Sequence, residues 1–243
     1  MRNPRRKFVS KRTKKQNLNK YGFEFFSMFI AIIAAFALNN WNDNRKENHS
    51  ENNILTEISN GLKKDLLDVK ANKEGHVNGI SSVKYFKRVL NEQPVGQDSL
   101  KRHYFNLTRD FVSIQNVAGY ETLKSQGLEV IKNDSLRHQI ISLYEYDYKA
   151  LLKLEEEYPE LQFQENYFNE INLAFAPSLN FDKNGEIVGI ANRLNLAKNK
   201  KQELQVLLWK MQFNRNFILN FYNDVEVKIK KTIENIDLEL SKK

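Results

Sequence analysis

The sequence predicts an all-α protein: a single N-terminal transmembrane helix followed by an extracytoplasmic helical bundle whose first and last helices are long. Three observations predict it. Residues 25–42 carry no charged side chain. Apolar residues recur at spacings of three and four through most of the remaining chain, the period of a helix face. The 243 residues include only 9 glycines and 4 prolines, which leaves few breaks for turns. The resulting division is a basic cytoplasmic tail (1–20), a transmembrane helix (21–41) and an extracytoplasmic helical domain (42–243).

The tail is read as disordered. It holds nine basic residues (Arg2, Arg5, Arg6, Lys7, Lys11, Arg12, Lys14, Lys15 and Lys20) and no acidic one. That leaves 29 of the 38 basic residues against all 30 acidic ones, so the formal charge of +8 is a local property of the tail. A nearly neutral domain lacks the broad basic footprint of a nucleic-acid binder, and no nucleic acid is expected as a partner. The bilayer is: each basic residue near an anionic leaflet contributes about 1 kcal/mol. Basic residues stay on the cytoplasmic side of a span. The expected location is therefore the cell inner membrane, single-pass, with the N-terminus cytoplasmic and the C-terminal domain periplasmic.

Tyr21 to Trp41 covers roughly 30 Å at about 1.5 Å per helical residue, the thickness of a bilayer's hydrocarbon. Tyr21 and Trp41 bracket the apolar run as interfacial aromatics, and Asn39 and Asn40 stand at its exit. Ser27, Ala31 and Ala35 recur every four residues and share one helix face. Small residues at that spacing let two membrane helices approach closely, which points to a homodimer through the anchor; the alternative is that such residues are simply common in membrane helices. A second reading of the segment is a signal peptide cleaved after Ala37, because Ala35-Phe36-Ala37 has the small-x-small form.

From Asp43 to about Asn91 the chain reads as one long helix, with Leu55, Ile58, Leu62, Leu66, Val69, Val77, Ile80, Val83, Phe86 and Leu90 on its apolar face. A polar gap surrounds Lys73, and Gly75 and Gly79 are expected to weaken or kink the helix. Pro94-Val95-Gly96 is a turn, and Asp98 caps a second helix carrying Leu100, Tyr104, Leu107, Phe111 and Ile114. Gly119 to Gly127 is a short helix ended by Gly127 in a left-handed conformation. Asn133-Asp134-Ser135 starts the next helix, Pro159 breaks it, and helix resumes to about Ala174. Pro177 to Gly189 is the one sizeable non-helical stretch, with Asn184-Gly185 as the turn of a small hairpin. A last helix spans about 193–240, with Leu204, Leu208, Met211, Ile218 and Val225 on its apolar face.

Chemistry is sparse. The absence of cysteine excludes disulfides, thiolate metal sites and cysteine nucleophiles. His49, His76, His103 and His138 do not pair at metal-ligand spacing. Asp182, Asn184 and Glu186 lack the spacing of a calcium loop. Glu155-Glu156-Glu157 reads as a solvated charge run, and Tyr144 and Tyr148 as packing residues one turn apart. No phosphate loop, nucleophile elbow or zinc-protease motif occurs. No cofactor, metal site or enzymatic activity is expected.

Two stretches resemble a bacterial family of unknown function. Asn39-Asn40-Trp41-Asn42-Asp43-Asn44-Arg45-Lys46, following the apolar run, resembles the motif that closes the family's single N-terminal membrane helix. Tyr120 to Asn133 resembles its second landmark, although Gln126 stands where the family has serine and one residue is missing before the isoleucine. The resemblance implies a single-pass, mostly helical protein with an extracytoplasmic domain and implies no activity. The expected role is a membrane-anchored, non-enzymatic module that binds or scaffolds another envelope protein. Tyr120, Leu123 and Gly127 are the candidate partner-binding residues, with packing of the short helix as the alternative. The other function class is a small-ligand sensor-like helical domain.

Overall fold

The computed structural model describes residues 10–242, with side chains from Tyr21 onward. Its elements are α1 (Ser10–Leu90), α2 (Leu100–Leu107), α3 (Ala118–Gln126), α4 (Asp134–Ser142), α5 (Tyr148–Glu157), α6 (Phe163–Phe175), β1 (Leu179–Phe181), β2 (Ile187–Ile190) and α7 (Lys198–Ser241). The all-α class and the two long terminal helices are as the periodicity predicts. Because α1 begins at Ser10, residues 10–20 are helical rather than a disordered tail; residues 1–9 lie outside the described ones. The chain forms two compact units, residues 1–52 and 53–243.

In the first unit α1 is long and apolar enough to cross a membrane. An 18-residue window there has mean hydropathy 1.9 and no residue buried within the protein. Phe25, Phe29, Ile32, Ile33 and Phe36 are all exposed. Water would penalise such a surface, whereas hydrocarbon accepts it. The backbone satisfies itself as helix, and the Ser27 hydroxyl donates to the Phe23 carbonyl at 2.8 Å. These properties are compatible with a single-pass membrane protein.

The second unit is an up-down-up-down arrangement of four rods. α1 and α7 run antiparallel: Ser59 and Lys63 meet Asp237, His76 meets Arg215, and Lys87 meets Gln212. The second rod is α2, an extended segment (108–117) and α3, running back along α1. The third is α4, α5 and α6, running back along α7 through Gln139–Thr232, Asp147–Lys228 and Asn214–Tyr167. Leu55, Ile58, Leu62 and Phe86 of α1, Ile140 and Leu151 of the third rod, and Leu208, Met211 and Ile229 of α7 are fully buried or nearly so. Each such side chain contributes about 1.5–3 kcal/mol on leaving water.

Local signals explain most boundaries. Asn133 caps α4, its side-chain oxygen accepting the Leu136 N–H at 3.2 Å. A π-helical turn, Leu143–Asp147, joins α4 to α5, and Pro159 opens a 3-10 turn before α6. The hairpin forms about Gly185, whose φ is +80°. The Asp182 carboxylate accepts the Asn184 and Glu186 N–H groups, so it closes the turn.

Three further expectations fail. Asp98 makes no capping bond: it lies in the 3-10 turn Gln97–Ser99 that leads into α2. The second helix stops at Leu107, leaving Phe111 and Ile114 in the extended segment. The apolar face of α1 does not continue through Val77, which is exposed; Asn72, Gly75, His76 and Gly79 are buried there instead.

Candidate functional site

The segment 108–117, outside helix and strand, is held by hydrogen bonds from other rods. Its β-branched residues (Thr108, Val112, Ile114 and Val117) disfavour helix. Three of its backbone donors are taken by carboxylates from two other rods. The Ser113 N–H and hydroxyl donate to Glu155 Oε2 of α5 at 3.0 and 2.8 Å. The Ile114 N–H donates to Asp68 Oδ2 at 2.9 Å. The Asn116 N–H and side-chain amide donate to Asp65 Oδ1 at 2.8 and 2.6 Å. The free oxygens of two of these carboxylates accept tyrosine hydroxyls, Tyr148 on Asp65 at 2.8 Å and Tyr222 on Glu155.

The bed for this segment is a stripe on α1 at spacings of three and four: Gly61, Asp65, Asp68, Asn72, Gly75 and Gly79. The glycines are there for space. A Cβ on Gly61 would stand 3.2 Å from Asn116 Cβ, one on Gly75 would stand 2.2 Å from the Phe111 ring, and one on Gly79 would stand 2.4 Å from the Arg215 guanidinium. The segment thus lies in a groove of the helix that side chains elsewhere would fill. None of the three has a φ in the left-handed region, so a need for left-handed backbone does not account for them.

At the α2 end of the segment, Arg215 of α7 is wholly buried. One guanidinium nitrogen donates to the Leu107 and Arg109 carbonyls at 2.9 and 3.0 Å, and weakly to Asn106 at 3.4 Å. These carbonyls close α2, so the cation caps the negative end of that helix. The other terminal nitrogen lies 3.2 Å from His76 Nδ1, and Phe163 stacks beneath the guanidinium at 3.9 Å. Since arginine only donates, His76 Nδ1 accepts and its proton sits on Nε2. Nε2 has no hydrogen-bond partner and is surrounded by the rings of Phe111, Phe163 and Tyr222. Asp110 completes the junction from outside: its two oxygens accept the Phe163 and Gln164 N–H groups at 2.5 and 3.1 Å and cap α6.

Burial sets the charges. It drives the His76 pKa down to about 3, with Arg215 adding to the effect, so the imidazole is neutral. It also lowers Arg215, to about 10, which leaves the guanidinium charged at neutral pH. Burial raises Asp65, Glu155 and Asp110 above the usual carboxylate range, against the opposing pull of their hydrogen bonds. These groups are strained by desolvation, yet each is committed to a backbone or side-chain partner. Two open depressions flank the junction, about 480 and 320 Å³ in volume. They share Arg109, whose guanidinium lies over Phe105 at 4.8 Å and Phe111 at 5.6 Å.

The residues singled out from sequence fall elsewhere. Tyr21, Asn39, Asn40 and Trp41 are exposed on α1 of the first unit; Asn39 donates to Asp43 at 3.0 Å, and Arg45 lies over the Trp41 ring at 5.8 Å. Ser27, Ala31 and Ala35 are exposed on the same helix. In α3, Tyr120 and Leu123 are buried, with the Tyr120 ring stacked on Tyr144 at 4.5 Å. Gly127 is exposed at φ +101°, with nothing near a would-be Cβ, so its requirement is backbone conformation. Glu155, read as solvated, is buried and binds the segment. Among the described residues no group of three or more His, Asp or Glu could hold a metal.

The class defined by these features is a helical bundle whose second rod is interrupted by a long non-helical segment, with an apolar N-terminal helix. The model of a family of unknown function, DUF6090, matches residues 24–176, more than half of the chain, and the chain belongs to that family. The match ends before α7, which supplies Arg215 and Tyr222. Neither the curated proteins nor the solved structures contain a match to the chain.

Proposed function

We propose that the protein is a single-pass, membrane-anchored, non-enzymatic module whose helical domain binds or scaffolds another envelope protein. The observation that carries this reading is that α1 belongs to both units: one helix supplies the exposed apolar segment and also the bed on which the domain's second rod is clamped. Holding a folded domain at a membrane is what such a chain suits. Asp65, Glu155, Asp110 and Arg215, all shifted by burial, support the non-enzymatic part, because each is engaged by backbone N–H groups or carbonyls. The nine basic residues before the span support a cytoplasmic N-terminus in the inner membrane and a periplasmic domain.

Two measurements test it. A reporter active only in the cytoplasm, fused after Lys243, is expected to be silent; activity there reverses the orientation. A photo-crosslinking side chain at the exposed Ser125 of α3, in the full chain in its native membrane, is expected to capture one dominant envelope protein. Capture spread evenly over abundant neighbours, at the same level as from the exposed hairpin position Lys183, refutes the binding role.

A further inference from the structure

The outer face of α7 is anomalous for a helix in water. Between Glu203 and Asp224 its charged residues are Lys210 and Arg215. Arg215 is buried, and Lys210 binds Glu160 at 2.5 Å. What faces outward is a ridge of Val206, Trp209, Phe213 and Phe217, at spacings of three and four. Trp209 is 58% and Phe213 56% exposed, and their rings stack on each other at 5.6 Å. The ridge is bordered by the amides Gln205, Asn216 and Asn220, all exposed.

We propose that this ridge is a homotypic contact, through which two copies of the anchored chain pair with twofold symmetry; the proposal rests on the membrane-anchored reading above. In a symmetric contact the patch must complement itself. Aromatic rings do so by stacking, and amides do so because each carries both a donor and an acceptor. A partner recognised by charge would call for unpaired exposed charge here, and so would the anionic headgroups of a lipid surface; the one outward charge between Glu203 and Asp224 is Lys210, already tied to Glu160. Area sets the regime. At about 150–250 Å² per aromatic side chain, the ridge leaves roughly 400–500 Å² open per copy, about 800–1,000 Å² for the pair. Stable interfaces begin near 1,200 Å², so the contact is transient in solution and is sustained when anchoring confines both copies to one membrane.

The chain has no cysteine, so single-cysteine variants of the full chain report contacts without background. Phe213 lies near the middle of the ridge, where a twofold axis brings a residue close to its own counterpart. In membranes treated with a short thiol-to-thiol linker, Phe213→Cys is expected to give a linked dimer, and Tyr146→Cys, exposed on the π turn, is not. Adding Trp209→Glu or Val206→Glu to Phe213→Cys places like charges across the axis and is expected to lower the linked fraction about tenfold, with unchanged circular dichroism. Equal linking at positions 213 and 146, insensitivity to both charged variants, or linking of position 213 only to another protein overturns the proposal. Carbonate extraction separates the two ideas: a chain that stays in the membrane pellet but does not link refutes the contact alone, and a chain released by carbonate refutes the anchor and the confinement that depends on it.

Discussion

His76→Gln is the sharpest probe of the buried junction, because it removes a titration while leaving an oxygen for Arg215 to bond. In the folded protein the imidazole stays neutral down to about pH 3, whereas its ordinary pKa is 6.5. Below 6.5 the unfolded chain therefore binds a proton that the folded chain refuses. The stability tied to the neutral imidazole is complete above pH 6.5 and is lost as pH falls, at about 1.4 kcal/mol per pH unit. By pH 5 that amounts to about 2 kcal/mol, a sizeable fraction of a typical domain's stability. Asp65, Glu155 and Asp110 act with the opposite sign. Their folded pKa values are raised, so they favour the folded state at low pH and lose that contribution as pH rises through the folded values. The wild-type profile is a difference of the two effects, and only comparison with His76→Gln isolates the histidine. Urea unfolding of the full chain in detergent, followed by circular dichroism between pH 7 and 5, is the assay. The wild type is expected to lose about 2 kcal/mol relative to His76→Gln across that window. Parallel profiles would mean that the imidazole is solvated in the folded state, which would refute the packing of Arg215 described above.

Gly79→Ala drives a Cβ to 2.4 Å from the Arg215 guanidinium and is expected to destabilise by about 1–3 kcal/mol. Gly96→Ala, whose nearest neighbour would be 3.7 Å away at a φ of −71°, is expected to be neutral or stabilising by up to about 1 kcal/mol in the same melt. Glu155→Ala strands the Ser113 N–H and the Tyr222 hydroxyl; a loss of about 3 kcal/mol, with rapid hydrogen exchange at Ser113, is expected, and protection equal to wild type would contradict the clamp. In a membrane-helix reporter, Ala31→Leu is expected to abolish anchor self-association and Ile32→Leu to leave it unchanged; equal signals would reduce the Ser27–Ala31–Ala35 stripe to composition.

The rods were legible in sequence because each follows a helical apolar period, and the breaks at Asn133, Pro159 and Asn184-Gly185 because each has a local chemical cause. The extended segment was not legible. Leu100, Tyr104, Leu107, Phe111 and Ile114 keep a helical spacing, and nothing within the stretch reports that acids far away in sequence will take its N–H groups. Tertiary hydrogen bonds overrode local period there. Glu155 is hidden for the same reason, since a carboxylate in a run of three looks solvated until the donors that reach it, Ser113 and Tyr222, are located.

A signal for the junction did exist, in two interruptions that look unrelated along the chain. The apolar stripe of α1 lapses from Asn72 to Gly79, and that of α7 lapses at Asn214 and Arg215. In two antiparallel helices packed along their length, lapses at corresponding heights face each other. A buried lapse must be filled by polar groups that satisfy one another or a third element, because an unpaired buried charge costs several kcal/mol. Here His76 meets Arg215, Lys73 meets Glu226, and the second terminal nitrogen of the guanidinium reaches the carbonyls that end α2, while its Nε–H finds no partner. Arginine suits that place because its fork can cap several carbonyls at once. Its size is admitted because Gly79 withholds a side chain opposite it. The break in the second rod and the gap in α1 are therefore one feature: the cation that closes the helix ending at Leu107 lies in the space that Gly79 leaves open.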